Sequence, residues 1–251
     1  MKFNFILAIF HIVVYDVIKN HNYQIIIIDI KGVLKMERMA EEFISILETE
    51  DRAKALEYII GKLESGEAGI VHIYEEVLAK SLNEMKLIGD EKTDIWKEHV
   101  RSSIIKTIVE NCYPYVVKER ERKAFHPKQN KVAVVCPVDE YHEIGARMIA
   151  DYFTINGYDT TFVGSNTPKE VFVSGIHVDK PNYVAISITN PYNLVSARNT
   201  IELIRKSDPN VKILAGGSAL SKLSDRASSL GADRYLTSFE DIEALEGGNG
   251  I

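Results

Sequence analysis

Three residues with chemistry to offer fall close together at Glu140-x-His142-x-x-Gly145, inside the stretch VAVVCPVDEYHEIG that spans residues 132–145. A neutral imidazole nitrogen is a good axial ligand for a transition metal. A carboxylate two residues away can accept the hydrogen bond of the other ring nitrogen, which fixes the tautomer and makes the ligand more electron-rich. Gly145, at the first turn of a helix, lets a large ligand approach the backbone. The chemistry on offer is axial ligation, with His142 as the ligand and Glu140 as its orienting partner. Taken alone, such a trio is more often an ordinary loop histidine beside a carboxylate. Its neighbours change the weighting.

Val132–Cys136 is an apolar, β-branched run, and Pro137 ends it, because proline cannot donate to a sheet ladder. A polar loop follows, and a helical pattern begins after His142. The histidine therefore sits on a loop at the carboxyl end of a first strand, the edge at which open α/β sheets bind ligands. From there strands and helices alternate. The expected strands are 131–136, 159–163, 183–189, 211–214 and 234–236, with helices over 143–156, 194–206 and 223–230 between them and 241–245 at the end. Units of this length predict a five-stranded parallel sheet of flavodoxin-like, Rossmann-like type.

Upstream the periodicity is helical. From Met36 onward, Phe43, Ile44, Ile46 and Leu47 give one apolar face. Thr49 is placed to cap a second helix that carries Leu56, Ile59, Ile60 and Leu63 and ends at Ser65-Gly66. A third runs from Ile70 through Leu82 towards Gly89, and a fourth uses Ile95, His99, Val100, Ile104, Ile105 and Ile108. Short connections make these a four-helix antiparallel bundle. The expected organisation is thus an N-terminal extension over 1–35, a helical cap over 36–116, a linker over 117–130 and an α/β domain over 131–246. The extension holds an apolar run, Phe3–Tyr15, and a β-like run, Ile25–Ile28; with no A-x-A cleavage site it does not read as a secretion signal, and it is expected to lie outside the working domains.

The chain has 251 residues and a formal charge of -6, a balance that argues against broad nucleic-acid binding, which needs a basic footprint. Its two cysteines, Cys112 and Cys136, fit neither a metal spacing nor a disulfide framework and read as buried, reduced core residues. No uninterrupted apolar run of about 18 residues marks a membrane span. The expected location is the cytoplasm.

Glu140-x-His142-x-x-Gly145 resembles the D/E-x-H-x-x-G signature of cobalamin-binding domains of the base-off/His-on type, and EYHEIGA (140–146) is most similar to the version in light-sensing, adenosylcobalamin-dependent regulators. The likeness continues in order through FVGSNTP (162–168), Ser187-Ile188-Thr189 and Ala215-Gly216-Gly217, and the bundle resembles the family's helical cap, with Glu98-His99 in the matching place. Three spaced motifs at strand ends are far more specific than one. The resemblance implies cobalt held by His142 from below, Glu140 orienting it, and room near Gly145. It implies Ser187, Thr189, Gly216 and Gly217 around the displaced nucleotide tail, and Trp96 and His99 over the upper face. The cofactor implied is cobalamin, in the adenosyl or methyl form.

Two departures stand out. Where the light-sensing branch has its shielding tryptophan this chain has Ile88, and the histidine that follows there is Gly89 here. The chain's single tryptophan, Trp96, lies much nearer Glu98. Trp96 and His99, three apart on one helix, are also an ordinary packing pair. Two roles follow from the resemblance. One is a cobalamin-dependent sensor; no helix-turn-helix pattern precedes the cap, so it would act through a partner regulator rather than on DNA, with a homo-oligomer as one possible form. The other is a corrinoid methyl carrier of a methyltransferase system. A plain nucleotide-binding flavodoxin-like protein would account for the sheet, but not for His142 or the cap.

Overall fold

The computed structural model describes residues 23–85, 88–123, 130–221 and 228–245. The helical half opens with α1 (Tyr23–Glu48) and α2 (Arg52–Glu64). A broken helix follows: α3 (Ile70–His72), a π-helical segment (Ile73–Ala79) and α4 (Lys80–Asn83). Then come α5 (Glu91–Asn111) and α6 (Tyr113–Arg122). The α/β half runs β1 (Lys131–Pro137), α7 (Ile144–Ile155), β2 (Asp159–Thr167), α8 (Lys169–Asp179), β3 (Tyr183–Ser187), α9 (Leu194–Ser207), β4 (Lys212–Gly216), β5 (Arg234–Leu236) and α10 (Phe239–Glu243).

The five strands are parallel in the order β2-β1-β3-β4-β5. That is the flavodoxin-like order, and its topological switch point lies between β1 and β3. β1 is apolar on both faces, as a strand covered by helices on either side must be. Its alternating side chains enter two different cores. Val132, Val134 and Cys136 join Met148 and Phe153 of α7 and Phe43, Ile59, Tyr74 and Ile105 of the helical half. Ala133 and Val135 join Phe172 and Ile176 of α8 and Ala197, Ile201 and Ile204 of α9. The first of these cores runs without a break from the helical cap into the sheet. An aromatic chain crosses the same junction, Tyr74 to Tyr152 to Phe239, with ring centroids 5.9 and 5.3 Å apart.

Several sequence expectations are corrected. Ile25–Ile28, read as β-like, is helical within α1, whose start at Tyr23 lies ahead of the expected Met36. Thr49 does not cap α2. Its hydroxyl turns back to donate to the Ile46 carbonyl, and Asp51 is the cap, accepting from the Lys54 amide at 3.1 Å. The first part of the expected linker, from Val117 to Arg122, is the charged second half of α6, whose first half buries Val116. With α6 the cap is more than a four-helix bundle. β2 does not stop at Val163 but runs to Thr167, and two register shifts against β1 let it curve past Pro137. The apolar run Phe3–Tyr15 and most of the expected helix 223–230 lie outside the described residues. Both cysteines are buried and free, and burial pushes each thiol up to about 12. No helix among the described residues is long and apolar enough to cross a membrane.

Candidate functional site

The loop from β1 to α7 is held by polar bonds that its sequence provides. Asp139 adopts a positive φ of 67°, and its amide donates to Asn166 Oδ1 at 3.0 Å. The Asn166 amide donates to the Glu140 carbonyl at 2.9 Å. The extended end of β2 thus fixes the loop that carries Glu140 and His142.

Glu140 is fully buried. Its carboxylate accepts from five donors. Oε1 takes His142 Nδ1 at 2.6 Å and the His142 amide at 3.1 Å. Oε2 takes the amides of Thr189 and Asn190 at 3.0 and 2.9 Å and Asn193 Nδ2 at 3.1 Å. Burial works most strongly against its ionisation, but the donors from Asn190, Asn193 and His142 outweigh it and hold the carboxyl below its ordinary range. An ionised carboxylate can only accept, so in the neutral imidazole the proton on Nδ1 leaves the lone pair on Nε2 of His142. The imidazole side chain is half-exposed, at 54%, and lines a cavity of about 840 Å³.

That cavity lies between the cap and the carboxyl ends of the strands. Tyr74, Glu75 and Ala79 of the π-helical segment and Glu98, His99 and Ser102 of α5 contribute from the cap. Ser187, Thr189, Gly216 and Gly217 contribute from the sheet, and Gly145 and Met148 from α7. A Cβ on Gly145 would meet nothing within 4 Å, so this backbone stands open to the cavity. Gly217 is different. Its φ is 103°, and a Cβ there would fall 2.2 Å from the Ile188 carbonyl oxygen. Glycine at 217 is dictated by that close backbone approach as well as by its place in the lining. The Ser187 and Thr189 hydroxyls make no hydrogen bond among the described residues; Thr189 serves the site through its backbone amide.

The structure brings Glu140, His142, Gly145, Ser187, Thr189, Gly216, Gly217 and His99 to one place, Glu140 from beneath His142 and the rest on the cavity wall. Trp96 does not join them. It is 68% exposed and outside the lining, because α5 turns Glu98, His99 and Ser102 to the cavity instead. Asn193 and Asn166 escaped sequence reasoning. Each reads as a turn residue, and each acts on a partner far along the chain. Glu143 was also missed. It ion-pairs with Lys106 of α5 and accepts from the Ser165 amide at 3.1 Å. Burial opposes its ionisation most, yet these partners pull its carboxyl below the usual range.

Residues 130–245 match the sequence model of the B12 binding domain. Among curated proteins none matches the chain. In fold the chain is similar to the Methanosarcina barkeri monomethylamine corrinoid protein, with a TM-score of 0.66 at 16% identity over 84% of this chain and 99% of that one. Two further solved structures align at a TM-score of 0.44. A cobalamin-binding protein from Desulfitobacterium hafniense DCB-2 is 14% identical over 86% of this chain and 98% of its own. The methanol:cobalamin methyltransferase complex of Methanosarcina barkeri is 13% identical over 84% of this chain and 81% of its own.

The residues fit such a cofactor. No cluster of three or more His, Cys, Asp or Glu side chains is placed to hold a bare metal ion among the described residues. One oriented imidazole is the donor set expected for a metal whose other positions a macrocycle already fills. The open backbone at Gly145 and the unpartnered hydroxyls at Ser187 and Thr189 leave room and donors for a large, polar-edged ligand.

Proposed function

We propose that the chain binds cobalamin in this cavity, with His142 Nε2 as the lower axial ligand to cobalt and the nucleotide tail lying along Ser187, Thr189, Gly216 and Gly217. The observation that carries the reading is the 2.6 Å contact from His142 Nδ1 to a fully buried, ionised Glu140. That arrangement fixes the tautomer a metal ligand needs and strengthens Nε2 as a donor. Thr189, Asn190 and Asn193 keep Glu140 charged, and Asn166 holds the loop in place. His99 and Glu98 approach from the cap side. Bound here, the cofactor supplies exchange of a group at its upper face; the protein's part is to ligate, orient and limit access.

Of the two roles, we adopt the corrinoid methyl carrier, working with a partner methyltransferase. The position of Trp96 supports it: the side chain that would shield an upper group in a light sensor stands outside the cavity. The sensor reading keeps one observation of its own, since Glu98 and His99 do line the cavity. Titration of the purified protein with adenosyl-, methyl- and hydroxocobalamin, in darkness and under light, separates them. A carrier accepts methyl- and hydroxocobalamin without preferring the adenosyl form and shows no light response. Selective uptake of adenosylcobalamin with a light-driven spectral and oligomeric change would instead make it a sensor. In His142→Ala the bound cobalamin should return to a base-on spectrum or bind weakly. An unchanged spectrum in that variant removes His142 as the ligand.

A further inference from the structure

The carboxylates around the cavity are not alike. Glu140 is saturated with donors, and Glu143 has Lys106 and the Ser165 amide. Glu75 lines the cavity from the π-helical segment with a single hydrogen bond, from the Phe239 amide to Oε1 at 3.2 Å. Burial, only partly offset by that bond, pushes its carboxyl above the ordinary range, the opposite direction to Glu140 and Glu143. Glu98 lines the same cavity from α5 and has no hydrogen bond or ion pair among the described residues. No Lys or Arg is among the described lining residues. The cap thus presents two carboxylates, on separate elements, with one hydrogen-bond donor between them, from the Phe239 amide to Glu75.

A ligand that suits this wall brings N–H donors and no negative charge. The corrin ring of cobalamin is edged by neutral acetamide and propionamide arms, and an amide N–H to a carboxylate is a charge-assisted hydrogen bond. A ring arm ending in a free carboxylate would set like charges together with no cation between them, which strongly disfavours binding. Resting on the cobalamin reading above, we propose that Glu75 and Glu98 select corrinoids whose ring arms are amidated, and reject those that carry a free carboxylate arm.

The test uses the full chain freed of cofactor, equilibrium dialysis, and two kinds of probe: hydroxocobalamin, and its ring monocarboxylates made by mild hydrolysis of the propionamide arms. At neutral pH the wild type should bind at least one monocarboxylate isomer about tenfold or more weakly than hydroxocobalamin. Glu75→Gln keeps an acceptor oxygen for the Phe239 amide while removing the charge, and Glu98→Gln changes an exposed residue that folding does not depend on. One or both should narrow the gap to within about threefold, chiefly by tightening the monocarboxylate. Equal affinities of wild type for both kinds of probe, or a gap unchanged in both variants, overturns the proposal and leaves the cobalamin reading standing. Failure to bind hydroxocobalamin at all overturns that reading and the proposal with it.

Discussion

At the residue scale the decisive feature is how Glu140 is held. A carboxylate removed from water stays ionised only if donors replace the water, and here five do. Asn193 matters most among the side chains because its amide also reaches the Asp139 carbonyl at 3.1 Å, joining the carboxylate to the loop's backbone. Asn193→Ala should leave the fold intact but lower cobalamin affinity by about 10–100-fold, the range for partners that orient a metal-bound histidine. Dialysis against the wild type, with circular dichroism as the folding control, checks this. Affinity within twofold of wild type would place Asn193 outside the ligand's support, at the resolution of such assays. Sequence reasoning found the pair Glu140 and His142 because both lie on one short loop. It missed Asn193 because an asparagine in a Pro-Tyr-Asn turn reads as turn chemistry, and nothing local says which carboxylate it will meet. It placed Trp96 on the cavity because a three-residue spacing allows a shared face, whereas the packing of α5 decides which part of that face looks inward.

At the element scale two glycines that look alike in the sequence have different jobs. Gly217 closes the turn after β4, where Ile188 leaves no space for a side chain and φ is positive. Gly217→Ala should destabilise the fold by on the order of 3 kcal/mol, from backbone strain and overpacking together. Gly145 sits in the first turn of α7 with open space before it. Gly145→Ala should raise stability by up to about 1 kcal/mol through helix propensity, while a methyl at the cavity wall weakens cobalamin binding. Denaturant unfolding and dialysis on both variants read the two effects separately; a Gly145→Ala protein that binds as tightly as wild type would show that the ligand does not approach this turn. The position of β1 was legible because a buried parallel strand is a short apolar run with turn residues after it. Two elements were not. A run of isoleucines such as Ile25–Ile28 carries β propensity, but its context decides, and here it lies inside a long helix. The second half of α6, Lys118–Arg122, is charged throughout, so its pattern resembles a solvated linker; the Arg122–Glu119 pair at 2.8 Å is the kind of local support such a segment has.

At the scale of the whole molecule, the cap and the α/β domain are joined by a continuous apolar core, and a buried carboxyl sits at their junction. Asp151 of α7 is fully buried. The Tyr74 hydroxyl, from the π-helical segment of the cap, donates to its Oδ2 at 2.8 Å. Arg147 Nη1 lies 3.2 Å from Oδ1 but out of line for a hydrogen bond. Its guanidinium is committed elsewhere, 3.2 Å from Glu110 and over the rings of Tyr113 and Phe162. Burial therefore wins over the attraction of Arg147 and the Tyr74 bond, and the Asp151 carboxyl is pushed up to about 6 from its ordinary 3.8. The sign of the consequence follows from proton counting. Between those values the folded protein holds a proton that the unfolded chain has lost, so this group's contribution to stability is complete below about pH 4 and is lost as pH rises through 6. The shift corresponds to about 3 kcal/mol at most. Glu140 and Glu143, shifted downward, act in the opposite sense, adding stability that is lost as pH falls through their folded values. Those terms are shared by any variant that leaves them alone, so Asp151→Asn isolates the buried charge: it keeps an acceptor for Tyr74 and never ionises. Urea unfolding of both proteins at steps from about pH 4 to 7 should show the variant gaining on the wild type across that window, by up to about 3 kcal/mol. Parallel stability curves would mean that Asp151 titrates alike folded and unfolded, and that the junction between cap and domain tolerates its charge through pairing with Arg147.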